Sequence, residues 1–414
     1  MEKTLQIAVV GGGAAGFFAA IEAKRQMPEA DVTIFEKHVR PLAKVAVTGG
    51  GRCNLTNTFA EVTDLRQVYP RGHQVMKRLL KHFSHTDLYE WFEQNGVPLV
   101  AQDDQCVFPR SQDSGAIILC LTSLAKQLGV KLKTGRRLTS ISPREDSLIS
   151  LTFDTEAGGE TKSFHRVAIT TGGHPRKEGL RYLADTGHSI ESPVPSLFTF
   201  CMADSQLKKL MGTVVERAIT SIPSTKYKAC GPLLITHWGM SGPAILKLSS
   251  HAARYLHECG YKAVVSVNWT GEPVASEVER CVREMASGNT QKQLSSVRPF
   301  DLPSRLWCHL LVRAGSQPDR KWGELGKKGI SRLVNTLTND SYQMTGRAAF
   351  KEEFVTCGGV SLSDVNLATM ESKILPGLFF AGEVLDIDAV TGGFNLQAAW
   401  TTGFVAGQNM AKVN

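Results

Sequence analysis

The apolar positions near the start of the chain come in short blocks separated by glycines. Leu5–Val10 is a run rich in branched residues and predicts a buried parallel strand. A helical pattern follows to Met27, where Pro28 ends it. Ala15, Ala19, Ala20 and Ala23 keep that helix slim enough to lie close to a sheet. Asp31–Phe35 predicts a second strand. Ser84 or Thr86 can cap a helix through Trp91 and Phe92 that stops at Asn95-Gly96. Cys106–Pro109 reads as a short strand and Asp113–Leu128 as a helix ended by Gly129. Val130–Lys133 and Leu138–Ile141 read as extended, and Leu148–Phe153 pairs with Lys162–Ile169 in a hairpin across Gly158-Gly159. Arg166–Thr171 is one more strand, running into Gly172-Gly173.

From Pro193 the texture changes. Pro193, Pro195, Pro223 and Pro232 punctuate strand-like pieces, among them Leu197–Met202 and Thr213–Ile222. After Lys262–Trp269 helical periodicity dominates to about Asn339. Residues 195–340 therefore read as an insertion, with a β part over about 195–270 and a helical part over about 271–340. Residues 1–194 and 341–414 form the domain around it. The C-terminal block Gly377–Gly407 holds a strand, Leu378–Ala381, and a small-residue helix after Gly392-Gly393.

A length of 414 residues suits two or three domains, and 42% hydrophobic with 21% charged residues is ordinary for a globular chain, which excludes wholesale disorder. No run of about 20 apolar residues predicts a membrane span. The stretch Ile7–Ile21 is too interrupted by glycine to be a targeting core and reads as structure. Nine cysteines at irregular spacing, with no C-x-x-C pair, fit reduced thiols in a cytoplasm better than disulfides or a metal site. The net charge of +8 is scattered; it is compatible with a solvated surface, an anionic substrate or nucleic acid.

The chemistry concentrates at the glycines. Gly11, Gly13 and Gly16 have G-x-G-x-x-G spacing between the first strand and its helix, and Glu36 closes the second strand 20 residues later. Gly11 makes the turn, Gly13 admits a pyrophosphate, Gly16 lets helix and strand pack, and Ala14 and Ala15 open the helix whose N–H groups meet the anion. Glu36 can accept from ribose hydroxyls. Together these predict dinucleotide binding. A second loop, Thr48–Asn57 (TGGGRCNLTN), sets Gly51 beside Arg52, Cys53 and Asn54. Arg52 can pair with phosphate and Asn54 can hydrogen-bond, while Cys53 reads more readily as an inert buried thiol than as a nucleophile. In the C-terminal block, Gly382 and Glu383 stand at a strand end where an acid reaches sugar hydroxyls. A helix N-terminus at Gly393 would aim its partial positive charge at a bound ligand, and beside a flavin would stabilise the anionic reduced ring; the alternative is a glycine-kinked core helix. In the insertion, Ser241 is the expected N-cap before Pro243. His237, beside Trp238, is a candidate proton-transfer group, against the alternative of a purely structural or substrate-shaping role.

These segments in order, GGGAAG with Glu36, TGGGRCNLTN, CVFP, LLITHWGMSGPA, FVTCGGV, the block TMESKILPGLFFAGEVLDIDAVTGGFNLQAAW and the final TTGFVAG, resemble the BaiN/YhiN/aminoacetone-oxidase-like family of bacterial FAD-dependent oxidoreductases. The resemblance spans nearly the whole chain. It implies an α/β fold: a discontinuous Rossmann-like FAD-binding domain carrying an inserted β-barrel and a small helical bundle. It implies non-covalent FAD with its isoalloxazine at the junction of domain and insertion. Carried over, the cofactor-binding residues are Gly11, Gly13, Ala14, Ala15, Gly16, Glu36, Lys37, Lys44, Gly51, Arg52, Cys53, Asn54, Leu138, Thr171, Gly172, Gly382, Glu383, Gly393, Phe394, Asn395, Leu396 and Gln397. Of these, Glu36 would hold the adenosine ribose, the backbone near Leu138 the adenine, Glu383 the ribityl or phosphate region, and Gly393–Gln397 the flavin. Two departures stand out. Pro41-Leu42-Ala43-Lys44 replaces the Gly-Lys-Lys run common in the family, and His174-Pro175-Arg176-Lys177 shortens the loop after Thr171-Gly172-Gly173.

The expected activity is hydride transfer through FAD on a small organic substrate, with NAD(P)H as a transient co-substrate, since only one dinucleotide fingerprint is present. The alternatives are a flavin-dependent RNA-modifying protein, which lacks a recognisable RNA-binding module here, and a flavin-holding sensor without turnover.

Overall fold

The computed structural model describes residues 4–348 and 355–412. The chain divides into two units: residues 1–194 with 355–414, and residues 195–354.

The first unit is built on a seven-stranded sheet, in the order Val365–Asn366, Glu371–Ser372, Leu378–Phe380, Arg166–Ile169, Gln6–Val10, Asp31–Phe35, Lys131–Lys133. The last five are parallel, and the two short ones pair antiparallel at one edge. Such strands are buried on both faces, which is why Ile7–Val10 reads as an unbroken apolar run and Val32–Phe35 as one broken only by the buried Thr33. One antiparallel meander, Arg137–Pro143, Ile149–Thr155 and Gly158–Phe164, packs through Phe153 and Phe164 on Phe35. The turn between its second and third strands is Glu156 and Ala157, so Gly158 and Gly159 begin a strand rather than form the turn. The helix His85–Gln94 is capped by Ser84: its hydroxyl accepts from the Asp87 N–H while the Asp87 carboxylate accepts from the Ser84 N–H, a closed capping box.

The first helix, Ala14–Gln26, is buried from Ala14 through Ala23 because the last helix, Phe394–Met410, lies across it. The contact is backbone against backbone. A Cβ on Gly403 would stand 2.5 Å from the Ala15 carbonyl oxygen, and one on Gly407 would stand 2.5 Å from that of Ala19. Glycines four apart on one helix thus face alanines four apart on the other. The aromatic rings of Phe18, Trp91, Phe92 and Trp400 close over one side of this crossing, and the Trp400 indole donates to the Leu55 carbonyl at 3.0 Å.

The inserted unit is a closed six-stranded antiparallel barrel, in the order Phe200–Met202, Gly239–Ser241, Lys228–Ile235, Val214–Ser221, Ala263–Asn268, Asp340–Arg347. Helices Ala275–Gly288, Ser304–Arg313 and Gly326–Thr338 fall in sequence between its last two strands. The return to the first unit therefore comes at 355 and not at 341, because Asp340–Arg347 is needed to close the barrel. Asp340 ties barrel to helices: it accepts from the Trp269 indole at 3.0 Å, from Arg313 at 2.6 Å and from the Tyr342 hydroxyl at 2.5 Å. The expected cap at Ser241 is also corrected. Gly242 occupies the N-cap with φ +88°, Pro243 opens the helix, and Ser241 ends a strand with its hydroxyl on Thr199.

The helix crossing generates a prediction. Glycine to alanine inside an ordinary helix gains up to about 1 kcal/mol. Gly403→Ala instead forces a Cβ onto the Ala15 carbonyl and is expected to lose about 1–3 kcal/mol. A shift of the urea midpoint to lower concentration is the expected reading; an unchanged or raised midpoint contradicts the close contact.

Candidate nucleotide-binding site

The predicted glycines collect at the carboxyl ends of the parallel strands. Gly11, with φ +115°, leaves the first strand and donates to the Phe35 carbonyl at 2.7 Å. A Cβ on it would lie 2.4 Å from the Thr170 oxygen, and one on Gly16 would lie 1.9 Å from the Gly11 oxygen. Those two are packing glycines. Gly13 differs: a Cβ there meets no protein atom within 4 Å. It is the N-cap of the first helix, which has no side-chain cap, so the N–H groups of its first turn, from Ala14 and Ala15 on, face outward for an acceptor.

Glu36 is buried at 9% exposure. One carboxylate oxygen accepts from the Gly12 N–H at 2.7 Å and the other from the His38 N–H at 2.8 Å. The acid thereby clamps the glycine turn to the second strand, and each oxygen keeps a lone pair for a hydroxyl. The Glu36 carbonyl accepts from the Arg136 N–H, which sets the meander's entry beside it. Two residues on, the Leu138 side chain is buried in the core and leaves only backbone to offer. Lys37 is exposed.

In the second loop Gly49, Gly50 and Gly51 all have φ between +62° and +87°, a run only glycine adopts cheaply. Arg52 is held over the Phe108 ring at 4.3 Å and donates to the Gly49 carbonyl. Cys53 is fully buried, and burial pushes its thiol up to about 12. It stays neutral, which fits the inert role. The Asn54 amide, oriented to satisfy both partners, donates to the Thr56 carbonyl and accepts from the Gly393 N–H. It thus carries the second loop to the start of the last helix.

That helix begins at Gly393, φ +88°, where a Cβ would collide with the Thr56 carbonyl at 2.2 Å. It too has no side-chain cap. Its first-turn side chains, expected to contact the flavin, mostly have other duties. Asn395 clamps both backbone groups of Ala389 at 2.9 Å. Phe394 is buried against Phe59 and Tyr69. Gln397 is wholly buried: it accepts from the Thr56 hydroxyl and donates to Thr401, which in turn donates to the Phe83 carbonyl. The Gln397 side chain is therefore held inside the core by Thr56 and Thr401. Leu396 is half-buried. What the segment offers is backbone N–H.

Lys44 and Glu383 meet at 2.9 Å across 339 residues of chain. Glu383 also accepts from the Thr356 N–H at 2.8 Å, and a Cβ on Gly173 would touch it at 2.7 Å. Gly172 lies beside the same carboxylate, while the Thr171 hydroxyl turns to Tyr182. Gly382 is anchored by its N–H to Thr402. The departure Pro41–Lys44 thus still delivers a lysine to the acid at the last strand's end.

Sequence reasoning missed a buried ion pair. Arg71 meets Asp388 in a two-pronged bridge, with side-chain exposures of 12% and 0%, which ties the loop after Tyr69 to the loop before the last helix. The signal was there as charges standing alone in apolar surroundings, VYPRGH and VLDIDAV. His237 belongs to the inserted unit, on the exposed turn between strands Lys228–Ile235 and Gly239–Ser241.

The thiol gives a direct check. Under native conditions at mildly alkaline pH, iodoacetamide is expected to label exposed Cys230 and leave Cys53 unmodified, as read by peptide mass spectrometry. Rapid native labelling of Cys53 would restore it as a reactive group.

Two uncapped helix N-termini, an acid at the second strand's end, an open approach at Gly13 and a Lys–Glu pair at the last strand's end offer free N–H groups, a cation and carboxylate acceptors of the kind a dinucleotide requires. The model of the HI0933-like protein Rossmann domain matches residues 5–409. The chain is 27% identical to a 3-dehydro-bile acid delta(4,6)-reductase of Clostridium scindens over 98% of this chain and 99% of that protein. It is 26% identical to a ribosomal RNA dihydrouridine synthase of Escherichia coli over 97% of each. Among solved structures, a 3-ketosteroid-delta4-(5alpha)-dehydrogenase from Rhodococcus jostii RHA1 shares the fold with a TM-score of 0.53 at 16% identity, over 100% of this chain and 98% of that one. The resemblance seen in the glycine loops and the C-terminal block thus holds across the chain, and the protein belongs to the HI0933-like family of FAD-dependent oxidoreductases.

Proposed function

We propose that this enzyme is an FAD-dependent reductase that saturates a carbon–carbon double bond conjugated to a carbonyl, with NAD(P)H as the hydride donor. The observation that carries the reading is the uncapped start of the last helix, held by Asn54 and Thr56 among the predicted flavin residues. The two curated relatives support it through their chemistry. A delta(4,6)-reductase of a 3-dehydro acid and a dihydrouridine synthase both remove a double bond in conjugation with a carbonyl.

Bound FAD would supply two-electron hydride chemistry. The chain's own residues do the rest. The N–H groups after Gly13 would bind the pyrophosphate, and Glu36 the adenosine ribose. Lys44 and Glu383 would order the ribityl and phosphate region. The last helix would place its positive end against the anionic edge of the ring, which favours the reduced form. Arg52 and Asn54 would line the second loop's side. Saturating a double bond needs a proton as well as a hydride, and His237 is the proposed donor.

Three variants test the assignment. Glu36→Ala and Glu383→Ala are each expected to weaken FAD binding about tenfold or more, the loss of a charge-assisted hydrogen bond. Unchanged FAD content in both would remove the cofactor assignment. His237→Ala is expected to keep its FAD but to slow the anaerobic oxidation of dithionite-reduced enzyme by cyclohexenone. An unaltered rate removes His237 from the chemistry. Failure of the unsubstituted enzyme to react with the enone, while it reacts with dioxygen, would overturn the reductase reading.

A further inference from the structure

The first unit is neutral as a whole, with 26 Lys and Arg against 26 Asp and Glu, while residues 195–354 carry the chain's net charge of +8. A local excess of cations in the first unit is therefore an arrangement and not a by-product of a basic chain. One such excess lines a cavity.

The cavity, of about 310 Å³, lies between the edge of the parallel sheet and the meander. That size falls at the lower end of the range for small-ligand pockets, about 300–1,000 Å³. Its wall on the sheet side has Lys131 opposite Thr33 and Lys133 opposite Phe35. Lys162 and Phe164 of the strand Gly158–Phe164 close it from the meander. The pleat puts Lys131 and Lys133 on this face and turns Leu132, 43% exposed, to the other. The edge strand thus gives its cations to the cavity and its leucine to solvent. One inward lysine would be enough to blunt a sheet edge. Three ammonium groups converging from two strands do not follow from that need.

The charges do not balance. Lys131 pairs with Asp31 at 2.8 Å. Lys162 and Arg136 share Glu160, at 2.5 and 3.4 Å. Lys133 has no ion-pair partner among the described residues. Its neighbour is another ammonium: Lys162 beside it holds Lys133 below the usual lysine range, and partial desolvation adds to the effect. Four cations against two carboxylates leave two positive charges unanswered in this cluster. A dianion would answer both, and Thr33 and Ser163 add hydroxyl groups to the wall.

The cavity is separate from the nucleotide site. The Glu36 carboxylate turns to the Gly12 and His38 N–H groups and does not line it. The cavity also reaches the strand starts at Gln6 and Asp31, whereas the fingerprint glycines lie at the carboxyl ends of the strands.

We propose that this cavity is a binding site for a phosphate dianion, free or as the terminal group of a small ester, held by Lys131, Lys133 and Lys162. The site is independent of the reductase reading.

The test is isothermal titration calorimetry of the FAD-loaded full chain with inorganic phosphate, at mildly alkaline pH and at an ionic strength held constant with potassium chloride. FAD loading keeps phosphate from the N–H groups after Gly13. One saturable site per chain is expected. Lys133→Gln/Lys162→Gln is expected to bind phosphate about tenfold or more weakly, through the loss of two charge-assisted hydrogen bonds. Lys77→Gln/Lys81→Gln removes the same charge outside the cavity and is expected to change affinity less than about twofold, because exposed charges are screened. Glycerol phosphate separates the two sources: tighter binding than inorganic phosphate assigns the site to an ester, weaker binding to the free anion. Acetylation of the unsubstituted protein by acetic anhydride, read by peptide mass spectrometry, gives an answer that needs no variant. Phosphate is expected to slow labelling of Lys133 and Lys162 and to leave that of Lys77 and Lys81 unchanged. No saturable binding, an undiminished affinity in Lys133→Gln/Lys162→Gln, or labelling of Lys133 and Lys162 that is indifferent to phosphate overturns the proposal.

Discussion

The close crossing of the first and last helices is the constraint on which the rest depends. Gly403 and Gly407 let the last helix settle onto the carbonyls of Ala15 and Ala19, and no side chain larger than hydrogen fits there. Because one helix follows the glycine fingerprint and the other ends the chain, this contact closes a unit interrupted by 160 residues. It also fixes where the last helix starts. From that position Gly393 abuts Thr56, Asn54 reaches the Gly393 N–H, and Gly382–Glu383 lies at the strand ends beside Gly172 and Lys44. A site drawn from five distant segments is thus positioned by packing, and its polar contacts refine it.

The two units divide the electrostatics. The first is neutral overall and spends its charges locally: Glu36 on the glycine turn, Glu383 on Lys44, Asp388 on Arg71. Of these, Glu36 and Asp388 are buried and Glu383 half-buried, and each is held by backbone N–H groups or a cation, as burial requires. The second unit uses Asp340 in the same manner to join barrel and helices, yet leaves an exposed surplus of positive charge. Local pairing stabilises a fold; an unpaired surplus acts at a distance and selects partners.

Much of this was legible in the sequence, and the gaps have physical causes. The first strand, its glycine turn and Glu36 were readable because each obeys a local rule: branched runs, φ sign and strand-end acids. The inertness of Cys53 followed from its type and setting. The closing barrel strand Asp340–Arg347 was not readable as such. Its partners lie about 75 and 145 residues upstream, and alternation alone does not say which sheet a strand joins. Gln397 was read toward the cofactor because it sits in a helix's first turn, whereas its burial is decided by Thr56 and Thr401 around it. Arg71 and Asp388 escaped notice because a long-range ion pair has no sequence spacing.

The central claim is that this discontinuous unit is an FAD cradle whose stability and cofactor are linked. The most direct measurement strips the protein of flavin, titrates it with FAD, and follows visible absorbance and thermal unfolding together. The account predicts one yellow FAD per chain and a Tm that rises with FAD, about 2.7 kcal/mol of added stability at a hundredfold excess over Kd, with flavin release coincident with unfolding of the first unit. A chain that stays colourless, with a Tm indifferent to FAD, would contradict it.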